Sequence, residues 1–184
     1  MQNIIGISGS LRKGSYNTAL LRAAAEQAAP STKVEIVSID EIPLYNGDLE
    51  EDQGLPSAVR TIKDQIAAAD GLLLVTPEYN NSIPGVLKNA IDWLSRPGSD
   101  IERVFGNKAV ALMGATPGRG GTRLAQVAWL PVLRTLGTRT WSGEQLYIAA
   151  AGQVFDSAGR LTDEKIKKLL REFMEGFSRF IIGK

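Results

Sequence analysis

Residues 9–17, with the sequence GSLRKGSYN, combine turn-forming residues, hydroxyl groups and a cation in a way that suits an anion. They follow a short apolar segment at 3–8 and lead into an Ala- and Leu-rich segment at 17–29, which predicts a strand, a turn and a helix N-terminus. Free N–H groups and the dipole at a helix N-terminus favour negative charge. The side chains that could add donors to a phosphate there are Ser10, Arg12, Ser15 and Asn17.

The same loop admits other interpretations. An ordinary strand-to-helix turn, in which Ser15 or Asn17 serves only as the N-cap, is the alternative to phosphate binding. Gly9 and Gly14 have the spacing of a P-loop, but Ser15 and Tyr16 stand where Lys and Ser or Thr are required. A G-x-G-x-x-G dinucleotide fingerprint is absent as well. A monophosphate therefore fits this loop better than a triphosphate or a dinucleotide.

Residues 76–85, with the sequence TPEYNNSIPG, form a second segment of unusual composition. Two prolines stiffen it, and a rigid loop can present backbone N–H and C=O groups to the edge of a flat heterocycle. Glu78 and Asn80 could add polar contacts, and Tyr79 could add an aromatic surface. The alternative is a crossover loop whose asparagines make only local turn hydrogen bonds.

A third segment, residues 114–121 (GATPGRGG), contains four glycines that would let the backbone approach a ligand closely. The same glycines are also typical of a merely flexible loop. Arg119 and Arg123 could meet an anion or could be ordinary solvated surface.

Strand and helix patterns alternate along the chain and must position these loops. Apolar or β-branched runs predict strands, and helical spacing of apolar residues predicts helices. Residues 40–55, which include the acidic run 48–52, show neither pattern and are predicted as a loop. Pro131 is expected to kink the helix that contains it. The predicted strands are 3–8, 34–39, 71–75, 109–113 and a fifth in two pieces, 138–141 and 145–149; the helices are 17–29, 56–69, 86–94, 122–136 and 162–182.

Such alternation is typical of an α/β fold whose parallel strands are joined by right-handed crossovers. We predict one domain over residues 1–184, a flavodoxin-like three-layer sandwich with a five-stranded parallel sheet in the order 2-1-3-4-5 and helices on both faces. Ligands bind beyond the carboxyl ends of such strands, and the three loops leave the sheet at that edge.

Composition restricts the chemistry that these loops could support. The 184 residues include no Cys and no His, which excludes disulfides, thiolate nucleophiles, His-based triads and Cys or His metal sites. Any redox chemistry must therefore use a bound organic cofactor, and we assign neither a catalytic side chain nor a metal ligand. The net charge of +1 provides no overall field for nucleic acid or an anionic membrane.

The chain shows neither a signal peptide nor a transmembrane segment in its sequence pattern. Its first residues, MQNI, lack a basic region followed by a long apolar one, and the longest aliphatic run is 72–75. A cytoplasmic protein is the expectation.

Residues 9–17 resemble the phosphate loop of the NADPH-dependent FMN reductase family, and residues 77–85 resemble its flavin-ring loop. Residues 87–97 (LKNAIDWLSRP) continue the similarity, which is greatest to the bacterial soluble quinone and chromate reductases. The resemblance implies a flavodoxin-like fold that binds FMN without a covalent bond. It assigns Ser10, Arg12, Ser15, Tyr16 and Asn17 to the phosphate loop, Pro77, Glu78, Tyr79 and Asn80 to the isoalloxazine ring, and Ala115, Thr116 and Gly118 to the border of that ring.

The resemblance also implies an activity. Hydride would pass from NADPH or NADH to the flavin, and two electrons would then pass to a small-molecule acceptor in ping-pong order. Quinones are the expected acceptors, with chromate, azo compounds or free flavin as others. A flavodoxin-type electron carrier and a non-catalytic flavin-binding scaffold are the alternatives; carriers are usually strongly acidic, which a net charge of +1 does not match.

Members of that family are typically dimeric or tetrameric, so a homodimer or homotetramer is expected. Val86, Ala90 and Trp93 form a second apolar stripe beside the predicted core-facing side of their helix. A helix that is apolar over so wide an arc is buried on more than one side, either by a subunit interface or by one thick core.

Overall fold

The computed structural model describes residues 1–183, which form a central parallel sheet with helices on both faces. The strands are β1 (Gln2–Ser8), β2 (Thr32–Val37), β3 (Gly71–Val75), β4 (Ala109–Ala115), β5 (Arg139–Thr140) and β6 (Leu146–Ile148). Their order in the sheet, β2-β1-β3-β4-β5, confirms the predicted order, and the short strand β6 also pairs with β4.

Seven α-helices in the described residues connect or follow these strands. Two short 3₁₀ turns, Gly98–Asp100 and Ala151–Gln153, accompany them. The helices are α1 (Tyr16–Gln27), α2 (Gly47–Gln53), α3 (Ser57–Ala68), α4 (Gly85–Leu94), α5 (Ile101–Phe105), α6 (Arg123–Thr135) and α7 (Glu164–Ile182). Helix α6 continues through Pro131, and within residues 1–183 no helix is both long and apolar enough to cross a bilayer.

Every residue of β3 and β4 is buried, because helices cover both faces of the sheet. This explains why these strands are continuous apolar runs rather than alternating patterns. On one face, α1 and α7 pack through residues such as Phe173 and Phe177. On the other face, the core includes Trp93 and Trp129 from α4 and α6.

The strand register brings the three unusual loops to one edge. Ser8 at the end of β1 lies beside Val75 at the end of β3, which in turn lies beside Met113 of β4. The outer position next to β4 is shared by β5 and β6, which pair with opposite ends of it. The fifth strand is therefore interrupted, as its sequence predicted.

The prediction of a loop over the acidic run 48–52 was wrong, because these residues lie in α2. The side chain of Asn46 accepts a hydrogen bond from the backbone N–H of Asp48, and Asp48 and Glu50 lie in the first turn, where negative charge stabilises a helix. None of the residues of α2 is buried. The apolar period that identifies most helices is therefore missing.

The second apolar stripe on α4, formed by Val86, Ala90 and Trp93, is covered mainly by other residues of the same chain. Trp93 is fully buried, its indole N–H donates to the Pro43 carbonyl oxygen at 2.9 Å, and its ring meets Tyr45 edge-on with centroids 4.9 Å apart. Ala90 is buried as well, and only Val86 is exposed. One thick core thus explains this stripe, and homo-oligomerisation stays a prediction without support from it.

A buried lysine anchors the segment that follows α4. Lys63 is 1% exposed; its ammonium lies 2.9 Å from Asp100 Oδ2 and also donates to the Arg96 carbonyl oxygen. Arg103 donates to both carboxylate oxygens of Asp100, at 2.6 and 2.8 Å. The hydrogen bonds from Arg103 and then Lys63 hold the pKa of Asp100 well below its usual range.

Asp100→Asn is therefore expected to destabilise the protein most at neutral pH, and progressively less as the pH falls below about 4. A carboxylate whose pKa is lower in the folded state stabilises the fold above its unfolded pKa of about 3.9, and this stabilisation is lost as the pH falls toward the folded value. Urea unfolding from about pH 7 down to about pH 2 should show the stability difference between variant and parent begin to narrow below about pH 4. The exposed-site variant Asp52→Asn is the control, and a pH-independent loss for Asp100→Asn would contradict this account.

Candidate functional site

The loops after β1, β3 and β4 enclose a cleft of about 570 Å³ at the carboxyl edge of the sheet. This volume is in the range of small-molecule and cofactor sites. Ten of the twelve predicted site residues line it, together with Pro117, whereas Asn80 and Gly118 do not. The lining residues are Ser10, Arg12, Ser15, Tyr16, Asn17, Pro77, Glu78, Tyr79, Ala115, Thr116 and Pro117.

Ser15 both caps α1 and lines the cleft. Its hydroxyl oxygen accepts hydrogen bonds from the backbone N–H groups of Asn17 and Thr18, at 3.2 and 3.3 Å. Its own backbone N–H donates to the Arg12 carbonyl oxygen at 3.0 Å, which closes the turn that precedes the helix. The hydroxyl proton is not used by the cap, so Ser15 can cap the helix and still donate to an anion.

Arg12 supplies positive charge at the same end of the cleft. Its side chain is exposed, and its guanidinium carbon lies 5.8 Å from the ring centroid of Tyr16. Tyr16 in turn stacks on Phe155 with centroids 5.9 Å apart. Within residues 1–183 Arg12 forms no ion pair. A guanidinium beside a helix N-terminus suits a phosphate.

Asn17 has a structural partner that the sequence did not reveal. Its amide nitrogen donates to the Ala115 carbonyl oxygen at 2.9 Å, and its amide oxygen accepts from the Ala115 N–H at 2.9 Å. Asn17 is 4% exposed and Ala115 is 2% exposed, so this pair is buried. The amide assigned to a phosphate is therefore engaged in joining the start of α1 to the end of β4.

The two asparagines of the second loop form a turn at its tip. Tyr79 and Ser82 exchange two backbone hydrogen bonds, at 3.2 and 3.0 Å. Asn80 and Asn81 between them have φ values of 50° and 61°, which is the backbone of a type I′ turn. Asn80 consequently lies at an exposed tip outside the cleft lining, while Tyr79 is half exposed at its border.

Glu78 ties the second loop to helix α6. One carboxylate oxygen accepts from the backbone N–H groups of Leu124 and Ala125, at 2.8 and 3.0 Å. Deeper in the same loop, the Thr76 hydroxyl accepts from the Trp129 indole N–H at 3.2 Å. These contacts leave no local signal in the sequence, because the partners lie about 50 residues apart along the chain.

Gly114, near the end of β4, allows the second and third loops to approach each other. A Cβ atom there would lie 2.2 Å from the Thr76 carbonyl oxygen and 2.2 Å from the Thr122 hydroxyl oxygen. The first of these atoms is backbone, which cannot rotate away. The glycine is thus required by packing.

Gly114→Ala is expected to lower the free energy of unfolding by about 1–3 kcal/mol, because the added methyl must push two loops apart. Urea denaturation followed by circular dichroism would measure this loss. Gly118→Ala is the matched control: its new Cβ would meet nothing closer than 3.6 Å, and we expect a change within about 0.5 kcal/mol. Equal effects of the two substitutions would contradict the packing argument.

The two ends of the cleft thus differ in chemistry. Hydroxyl groups, a helix N-terminus and a guanidinium occupy one end, and stiff loops with proline and tyrosine border the other. The residues present fit a ligand with a phosphate at one end and a flat ring system at the other. Among the lining residues that the structure describes, no hydroxyl group is hydrogen-bonded to a basic side chain.

Comparison with known proteins identifies the group to which this architecture belongs. The sequence profile of the NADPH-dependent FMN reductases matches residues 2–153. The chain belongs to this family. The resemblance expected from the first two loops is thereby confirmed.

Curated relatives of the NADPH-dependent FMN reductase family align with nearly the whole chain. An NAD(P)H-dependent FMN reductase of Pseudomonas aeruginosa is 43% identical over 178 residues, which cover 97% of this chain and 94% of that protein. A 2-hydroxy-1,4-benzoquinone reductase of a Burkholderia species is 39% identical over 175 residues, which cover 95% and 93%.

A solved structure shows the same fold. The flavoenzyme NAD(P)H:acceptor oxidoreductase of Paracoccus denitrificans superposes with a TM-score of 0.89 at 35% identity, covering 100% of this chain and 98% of that one. The flavodoxin-like fold is thus confirmed. As a member of the NADPH-dependent FMN reductase family, the protein is an oxidoreductase that uses FMN, with NAD(P)H as co-substrate.

Proposed function

We propose that the cleft holds FMN and that the protein uses it to reduce quinones with NAD(P)H by a ping-pong mechanism. The observation that carries this proposal is the cleft itself. Residues from three separate loops, ten of them expected from the two family motifs and the Gly-rich loop, line one cavity at the carboxyl edge of the sheet. That edge is where α/β proteins of this topology bind ligands.

Each part of the cleft has a distinct task in this proposal. Ser10, Arg12 and Ser15 would hold the phosphate, through two hydroxyl donors and one guanidinium next to the N-terminus of α1. Pro77, Tyr79 and Thr116 would border the isoalloxazine ring. FMN, when bound, would supply uptake of hydride from NAD(P)H and its delivery as two electrons to an acceptor.

The ring end of the cleft supports the assignment of acceptor and kinetic order. Tyr79 is half exposed and Pro117 is exposed, so this end is open to solvent and presents flat apolar groups to a planar acceptor. A single open side would have to admit NAD(P)H and the acceptor in turn, which is the basis of ping-pong order. The benzoquinone reductase of Burkholderia and a quinone reductase of Pseudomonas putida, 37% identical, act on such acceptors by name.

An anaerobic visible spectrum of the protein with FMN tests this proposal. We expect bound flavin to bleach on addition of NADPH or NADH and to recover its colour on addition of a benzoquinone. Initial rates at several fixed quinone concentrations should then give parallel double-reciprocal plots. Bound flavin that stays yellow with both nucleotides would indicate a carrier or scaffold, and the absence of bound flavin would refute the cleft assignment.

A further inference from the structure

Helix α6 is capped by a residue from another part of the chain. Thr122, at its N-cap position, makes no side-chain cap hydrogen bond, and its hydroxyl instead accepts from the Gln126 side chain at 3.0 Å. The first-turn N–H groups of Leu124 and Ala125 are satisfied by Glu78, which precedes Leu124 by 46 residues. A carboxylate in this position both completes the hydrogen bonding and balances the positive end of the helix dipole.

The residue that caps α6 also lines the cleft. Glu78 lines the cleft between Pro77 and Tyr79, and α6 begins just after the Gly-rich loop that borders the same cleft. Its carboxylate therefore links the second loop to the helix that directly follows the Gly-rich loop. It is also the one acidic side chain among the residues described as lining the cleft.

We propose that Glu78 is a positioning residue for the flavin ring and that its charge lowers the midpoint potential of bound FMN. This inference rests on the proposed function. By holding the second loop against α6, Glu78 keeps the ring end of the cleft in one shape before the cofactor enters. Its carboxylate also balances the positive end of α6. Without that balance, the positive helix end would stabilise the negative charge of the reduced flavin and so raise its midpoint potential.

Two substitutions of Glu78 separate its positioning role from the effect of its negative charge. Glu78→Gln keeps an oxygen of the same reach for the two N–H groups but removes the negative charge, whereas Glu78→Ala removes both. We expect Glu78→Gln to bind FMN within about threefold of the parent, and Glu78→Ala to bind it about tenfold more weakly, as the loss of a cap allows. The midpoint potential of bound FMN should rise in both variants. Glu26→Gln, an exposed carboxylate on α1, is the matched control and should change neither quantity.

A measurement on the protein without FMN tests the positioning directly. Amide hydrogen exchange at Leu124 and Ala125 should become about tenfold faster in Glu78→Ala and change little in Glu78→Gln, because only the alanine variant loses the acceptor. Unchanged exchange in Glu78→Ala would overturn the positioning role. Parental potentials in both variants would overturn the charge effect while leaving the FMN reductase proposal intact. A parent protein that binds no FMN would refute the proposed function itself.

Discussion

Asn17→Ala is expected to lower the free energy of unfolding by about 2–6 kcal/mol, because it leaves two buried backbone groups without partners. The Asn17 amide exchanges two hydrogen bonds of 2.9 Å with the N–H and C=O groups of Ala115. Ala115 is 2% exposed, so water does not readily replace the lost partners. Each unsatisfied buried group costs about 1–3 kcal/mol. Urea unfolding of the FMN-free protein, followed by circular dichroism, measures this loss.

Asn17→Asp provides the isosteric comparison. One carboxylate oxygen can still accept from the Ala115 N–H, but the other oxygen faces the Ala115 carbonyl oxygen and repels it. This variant should therefore also be destabilised near neutral pH, and part of the loss should disappear in acid, where a protonated carboxyl can donate to that carbonyl. A loss below about 1 kcal/mol for Asn17→Ala would show that the pair contributes little.

Arg12→Ala is expected to weaken FMN binding by about tenfold or more without changing the stability of the protein without FMN. A hydrogen bond to a charged partner contributes about 1.5–3 kcal/mol, and 1.4 kcal/mol corresponds to a tenfold change in the dissociation constant. Arg12 is exposed and forms no ion pair within the described chain, so its loss should leave the fold intact. Fluorescence titration of the FMN-free protein with FMN measures the affinity.

Lys13→Ala is the matched control for Arg12→Ala. Lys13 is the next residue, carries the same charge and is also exposed, but it does not line the cleft. We expect its loss to weaken FMN by less than about threefold, since it acts only through screened long-range attraction. Equal effects of the two substitutions, or an unchanged affinity in Arg12→Ala, would remove Arg12 from the phosphate site.

Much of the fold could be predicted because its signals are local. Buried parallel strands such as Gly71–Val75 are continuous apolar runs, and the chain turns at glycine, proline and asparagine. The strand order and the interrupted fifth strand followed from these patterns. Helix α2 could not be identified in the same way, because a short surface helix with no buried residue lacks the apolar period that marks helices.

The sequence by itself determined which loops meet at the carboxyl edge of the sheet, because the alternation of strands and helices can be read along the chain. It also determined which chemistry the chain excludes, because the residue types are fixed by the sequence. Only the tertiary structure decided what individual side chains do there. Asn17 and Glu78 look like ligands in their loops, yet their polar atoms bond backbone groups 98 and 46 residues away. The packing of distant elements determines such partners, since a backbone N–H or C=O group that has no partner in its own helix or strand bonds to an acceptor or donor that is close in space rather than along the chain.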